Sequence, residues 1–291
     1  MIGDWQDEWD LKRRGSDRSV NRHDTCRVAA YLNNRFERTA IAAAQVERWA
    51  SWDNNQGESM VKLIGMIGGI GPESTIDYYR LFIATYQERK PDGSYPSLVI
   101  NSIDMTKMLN LVSANDLATL TVYLLQEIRR VAQAGATLGL LASNTPHIVF
   151  EDLQRVSPIP LISIVETTCQ AAISQQLKRV GIFGTRFTMQ GSFYQKVFER
   201  ERIDLVVPEI ADQEYIHTVY MTELVKGVFR EEARERFVAI ARRLREQQGI
   251  EGLILGGTEL PLLLRDASGI DMPLLDTARL HVERAVSELL S

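Results

Sequence analysis

LGLLASNTPH, Leu138 to His147, and EGLILGGTELP, Glu251 to Pro261, are two versions of one pattern: an apolar strand, a cluster of small and hydroxyl residues, then a helix start. Two further pairs of segments keep the same order and nearly the same separation. KLIGMIGG at Lys62 matches KRVGIFGT at Lys178, and IPLISIVETT at Ile159 matches MPLLDTARLH at Met272, all at offsets of 113 to 116 residues. Ordered matches at a near-constant offset are the mark of an internal duplication. From Met60 onward, short apolar runs alternate with amphipathic stretches, which predicts parallel sheets built of βα units. The strands are expected at Leu63 to Ile67, Ser97 to Ser102, Leu138 to Ala142, Leu161 to Ile164, Arg179 to Phe183, Asp204 to Val207, Leu253 to Leu255 and Pro273 to Leu275. They divide into two sets of four. Ligands of open α/β sheets sit beyond the carboxyl ends of the strands, so two such halves face to face bring equivalent loops to one cleft. In that alignment Ser143 pairs with Gly257, and Asn144 with Thr258.

Composition narrows the function. The chain has 291 residues, 45% hydrophobic and 24% charged, with a formal net charge of −5. No basic footprint for nucleic acid is present, and no apolar run reaches the roughly 18 residues of a membrane span. Cys26 and Cys169 are the only cysteines, with no CxxC and no HExxH, so neither a disulfide framework nor a metal site is expected. A reducing cytoplasm fits this usage, and a homodimer is left open. Residues 1–59 differ from the rest: all four tryptophans lie there, with one helical pattern from Arg27 to Ala50. They read either as a helical appendage or as sequence ahead of a start at Met60. The expected division is 60–160 for the first half, joined by a C-terminal helix 277–291, and 161–276 for the second.

GMIGGIGPESTIDYYR, SNTPH, IPLISIVETT, GTRFTMQGSFY and GGTELPLLL, in that order from Met60 to Ser291, resemble the cofactor-independent aspartate/glutamate racemases. The resemblance implies two pseudo-symmetric flavodoxin-like halves with the active site between them. It also implies proton removal from an amino-acid α-carbon by a thiolate on one face and redelivery by a thiol on the other, without pyridoxal phosphate. The two thiol positions of the family correspond to Ser143 and Gly257 here. Some relatives work with a hydroxyl at the first position, whereas glycine supplies no side chain at all. Removing a side chain at 257 is expected to open space through which Glu259 or a water reaches the substrate, and Ser143→Cys with Gly257→Cys is expected to restore racemisation.

Ser143, Glu259 and His147 are therefore the catalytic candidates, because a serine hydroxyl needs a neighbour to take its proton. Asn144, Thr145, Thr185, Thr188, Thr258 and Gly257 form the expected pocket for a small carboxylate, since hydroxyls and amides at helix starts suit an anion. Gly69 lets the backbone turn after the first strand. Arg186 in GTRFTM, with Lys107 behind it, is the expected clamp for a second carboxylate. Cys169, in the helix after SIVETT, reads as core. GIGPES approaches a dinucleotide fingerprint, but Ser74 breaks the glycine pattern and Glu73 sets a negative charge where a pyrophosphate belongs. The expected ligand is a small, acidic amino acid, with no cofactor. A one-sided proton-transfer enzyme (decarboxylase, lyase or isomerase) or an amino-acid-binding protein without catalysis are the alternatives.

Overall fold

The computed structural model describes residues 62–264 and 269–291, and the expectation for residues 1–59 lies outside them. Two four-stranded parallel sheets form. The first has the order β2-β1-β3-β4, from β1 Ile64–Gly68, β2 Leu98–Ser102, β3 Leu138–Leu141 and β4 Leu161–Ile162. The second repeats that order as β6-β5-β7-β8, from β5 Arg179–Gly184, β6 Asp204–Val206, β7 Gly252–Gly256 and β8 Leu274–Asp276. The registers match as well: Ile67 pairs with Leu141 in the first sheet and Phe183 with Leu255 in the second. IGMIG of β1 and GLILG of β7 are buried along their whole length, as strands covered on both faces require. The duplication seen in the sequence is thus a duplication of topology.

Helices cover both faces. In chain order they are α1 Pro72–Arg89, α2 Met105–Ser113, α3 Leu117–Gln133, α4 Phe150–Val156, α5 Ile164–Ser174, α6 Arg186–Gln190, α7 Ser192–Arg200, α8 Ile210–Thr222, α9 Glu231–Gln248, α10 Leu260–Leu264 and α11 Thr277–Leu290. Short 3-10 turns occupy Thr145–Val149 and Leu224–Lys226. None is long and apolar enough to cross a membrane, among the described residues.

The last helix of each half crosses to the other. β4 is only two residues long because Ser163 stops it: its side chain accepts the backbone N–H of Glu166 at 3.2 Å and caps α5. Asp276 does the same for α11, accepting from the N–H of Arg279 at 3.0 Å. The abrupt turns send each helix onto the opposite sheet. Ile164, Val165, Cys169 and Ala172 of α5 pack with Val180, Ile182 and Ile254 of the second sheet. Ala278, Val282, Ala285 and Val286 of α11 pack with Ile64, Met66 and Leu140 of the first, alongside Tyr78 and Phe82 of α1. The division at 160/161 is corrected accordingly: β4 pairs with β3, so the first sheet runs to Ile162, and the crossing begins only at α5.

Two buried histidines lock this arrangement. His281 on α11 donates through Nε2 to the carbonyl of Ile162 at 3.0 Å and accepts from the Tyr78 hydroxyl through Nδ1 at 3.0 Å. Burial pushes it down to about 4, and burial with the neighbouring His281 pushes His147 down to about 3. The unfolded chain protonates both near pH 6.5, so below that pH it binds more protons than the native fold does. Stability is therefore present in full above about pH 6.5 and falls as pH drops toward 4. Thermal melts at pH 5 should show a loss of about 2 kcal/mol per histidine relative to pH 7. An unchanged Tm over that interval would contradict burial of two neutral rings.

Candidate active site

At the end of β3 the chain turns at Ser143, whose N–H donates to the carbonyl of Leu141 at 2.8 Å. The Ser143 hydroxyl has no hydrogen-bond partner among the described residues, and the residue is 9% exposed. His147 holds the turn from behind. Its Nδ1 donates to the Ser143 carbonyl at 3.0 Å, its Nε2 accepts from the N–H of Ile164 at 3.2 Å, and its ring stacks on Phe150. Both nitrogens are thus committed to backbone. With both nitrogens on backbone groups and burial pushing it down to about 3, His147 supports the Ser143 turn, and the catalytic role expected of it finds no free nitrogen here.

Asn144 is likewise fixed by its neighbours. Its Oδ1 accepts from the Tyr194 hydroxyl at 2.6 Å, and its Nδ2 donates to Thr277 Oγ1 at 3.1 Å. Tyr194 belongs to α7 and Thr277 opens α11, so this side chain ties the first half to the second. Thr145 reaches across the same junction to Thr185, oxygen to oxygen at 3.4 Å. Thr185 caps α6 by accepting from the N–H of Thr188 at 3.3 Å, and the two hydroxyls lie 3.2 Å apart.

On the opposite side, β7 ends at Gly256 and leads into Gly257, Thr258 and Glu259. Glu259 is 1% exposed, and its carboxylate reaches the first half. It accepts from Ser74 Oγ at 2.6 Å, from Thr258 Oγ1 at 3.1 Å and from the Tyr220 hydroxyl. Ser74 and Thr258 are themselves 2.5 Å apart. Ser74 lies in the first turn of α1, where the helix dipole favours a negative group. The carboxylate therefore occupies the ground that a pyrophosphate would take, which adds a structural reason to reject dinucleotide binding. Gly69, at φ 77°, makes the loop before α1 possible: a Cβ there would stand 2.6 Å from Ser102 Oγ and overlap the backbone of Ile103. Its N–H donates to Thr75 Oγ1 at 2.8 Å.

The space at Gly257 is filled. A Cβ built there would stand 2.9 Å from Tyr220 Cζ and 3.0 Å from its hydroxyl oxygen, with Cε2 nearer still. The expected opening beside Glu259 is corrected: the Tyr220 ring, carried by α8, takes that volume. Burial first, then the Glu259 charge, hold the phenol well above its ordinary 10.

The cationic clamp is placed differently from expectation. Arg186 pairs with Glu214 of α8 at 2.5 Å near the surface, though its buried Nε has no partner among the described residues. Lys107 lies over the Tyr123 ring, 4.1 Å from its centre, and is exposed there. Cys169 is fully buried in the second core, where burial pushes its thiol up to about 11. Ser74, Tyr220, Tyr194 and Thr277 were not anticipated. Ser74 carried a signal, as the hydroxyl that interrupts GIGPES at a helix start, whereas Tyr220 in HTVYMTE carries none.

These loops sit where comparison with known proteins finds its matches. The family model described as Asp/Glu/Hydantoin racemase matches residues 67–285. The broad specificity amino-acid racemase RacX of Bacillus subtilis is 24% identical over 238 residues, covering 79% of this chain and 99% of that protein. An aspartate racemase homologue from Pyrococcus horikoshii OT3 superposes with a TM-score of 0.69 at 32% identity, covering 80% of this chain and all of its own. A proposed Asp/Glu racemase from Yersinia pestis superposes with a TM-score of 0.73 at 29% identity over 79% of this chain and all of its own. A match spanning both sheets, the crossing helices and both strand-end loops leaves one conclusion: the chain belongs to the Asp/Glu/hydantoin racemase family.

Proposed function

We propose that this protein takes a small amino acid into the cleft between its halves and transfers a proton at the α-carbon without pyridoxal phosphate. The observation that carries this reading is the collection of buried hydroxyl and carboxyl groups at the strand ends. Ser143, Thr145, Thr185, Thr258 and Glu259 are all buried, and two contacts among these loops join the halves, Thr145 to Thr185 at 3.4 Å and Ser74 to Glu259 at 2.6 Å. Burying a polar group costs about 1–3 kcal/mol unless it is fully paired, and a fold keeps such groups together at its ligand site. Acidic amino acids are favoured as the substrate class by Arg186. Its buried Nε–H is a donor without an acceptor among the described residues, suited to a second carboxylate once the guanidinium turns from Glu214.

One observation favours a one-sided version of this chemistry over full racemisation. Among the described residues no base stands behind Ser143, because His147 has spent both nitrogens on the backbone. Incubation of L- and D-aspartate, glutamate and alanine in D2O, followed by proton NMR and chiral analysis, tests the reading. Loss of the α-proton signal from the acidic pair, weakened by Arg186→Ala, is the expected result. Ligand-induced thermal stabilisation without α-exchange would identify a binding protein instead. Release of carbon dioxide or ammonia would make it a lyase.

A further inference from the structure

We propose that Tyr220 and Glu259 form a single proton-transfer pair on the second-half face of the cleft, standing in for the side chain that Gly257 lacks. The inference rests on the reading of the cleft as an amino-acid site. Gly257 and Ser143 are twin positions, one at each strand end where α/β sheets meet their ligands. The Ser143 face presents a hydroxyl. At Gly257 nothing is presented by the residue itself, but the phenol of Tyr220 stands in the volume its side chain would take, with the oxygen 3.0 Å from the Cβ position. The hydroxyl is bonded to Glu259, and the carboxylate is in turn held by Ser74 and Thr258. A merely space-filling ring would need no oxygen, whereas this hydroxyl is held on a carboxylate at the strand end.

A phenol hydrogen-bonded to a carboxylate can accept a proton only by passing its own along. In the forward step the Cα–H bond of the ligand breaks, and its electron pair stays on the α-carbon, delocalised into the ligand carboxylate. The proton forms a new O–H bond on Tyr220, while the original phenolic proton moves to Glu259 Oε2. Tyr220 ends neutral and Glu259 ends as the acid, so charge and atoms balance. Reversal returns a proton to the same face. Deuterium enters when the pair exchanges with solvent, and the ligand keeps its configuration because the opposite face presents no second base among the described residues.

Tyr220→Phe isolates the oxygen, since the ring still fills the site. The unaltered protein should replace the α-proton of its acidic ligand with deuterium and retain configuration. Tyr220→Phe should lower that exchange by roughly a hundredfold or more, with ligand-induced thermal stabilisation preserved. Exchange at the unaltered rate in Tyr220→Phe overturns the proposal while leaving the amino-acid reading intact. Absence of both binding and exchange in the natural protein overturns that reading, and this one with it. Exchange with inversion in the natural protein overturns the one-faced assignment. If Tyr220→Phe does not fold, Tyr220→3-fluorotyrosine keeps the ring and the hydroxyl but makes the phenol more acidic. The alkaline limb of the pH profile of exchange should then move to lower pH, and an unmoved alkaline limb overturns the proposal.

Discussion

Ser143→Cys combined with Gly257→Cys is expected to weaken the fold and to leave racemisation no faster than in the natural chain. The sequence alone suggests the opposite, because it shows two strand ends and two missing thiols. The Tyr220 ring decides the outcome: a Cβ at 257 overlaps it, and the ring is buried on α8 beside Glu259. Overpacking of this kind costs about 1–3 kcal/mol, or a fall in Tm of several degrees at roughly 2–4 °C per kcal/mol. Adding Tyr220→Ala to the pair removes the obstruction. The triple variant is expected to regain stability over the double variant and to interconvert D- and L-ligand on the order of a hundred times faster than it. Chiral chromatography of the product, with a melt of each variant, reads both quantities. Equal stability of the double variant and the natural protein would show that the ring yields.

Glu259→Gln should be nearly as disruptive, for a different reason. The carboxylate accepts at both oxygens, from Ser74 on one and from Tyr220 and Thr258 on the other. An amide turns one of those acceptors into a donor, so at least one buried hydroxyl is left facing an N–H. The stability cost is about 1–3 kcal/mol. The α-exchange should fall by a hundredfold or more, because the amide cannot take the phenolic proton. Urea denaturation and deuterium exchange measured on one preparation separate the two effects. A variant of unaltered stability would mean that the hydroxyls had found other partners.

Much of this architecture was legible before any coordinates. Alternating apolar runs and a repeat of fixed offset are properties of neighbouring residues, and all eight strands appear within a few residues of where those patterns place them. The places of Ser143, Thr145, Thr185 and Thr258 after strand ends were legible for the same reason. The partners of those side chains were not. His147 looks available until the carbonyl of Ser143 and the N–H of Ile164 are seen on its two nitrogens. Arg186 looks like a free clamp until Glu214 is seen beside it, with only the buried Nε left without a partner among the described residues. Gly257 looks like a vacancy until a tyrosine 37 positions earlier fills it. Volume is conserved in a close-packed interior, but the residue that supplies it is chosen by three-dimensional proximity, which no local pattern encodes.

The crossed helices impose an order on synthesis. Chain elongation delivers the first sheet early, yet part of the cover for Ile64, Met66 and Leu140 comes from Ala278, Val282, Ala285 and Val286. Domains generally fold as units as they leave the ribosome, and partly covered apolar surface is prone to aggregate meanwhile. In this chain that face of the first sheet has only α1 as cover until translation reaches α11, while the second sheet receives α5 before its own strands are made. The nascent first half is therefore the segment that calls for chaperone protection, and a stop codon just before Thr277 would leave it permanently in that state.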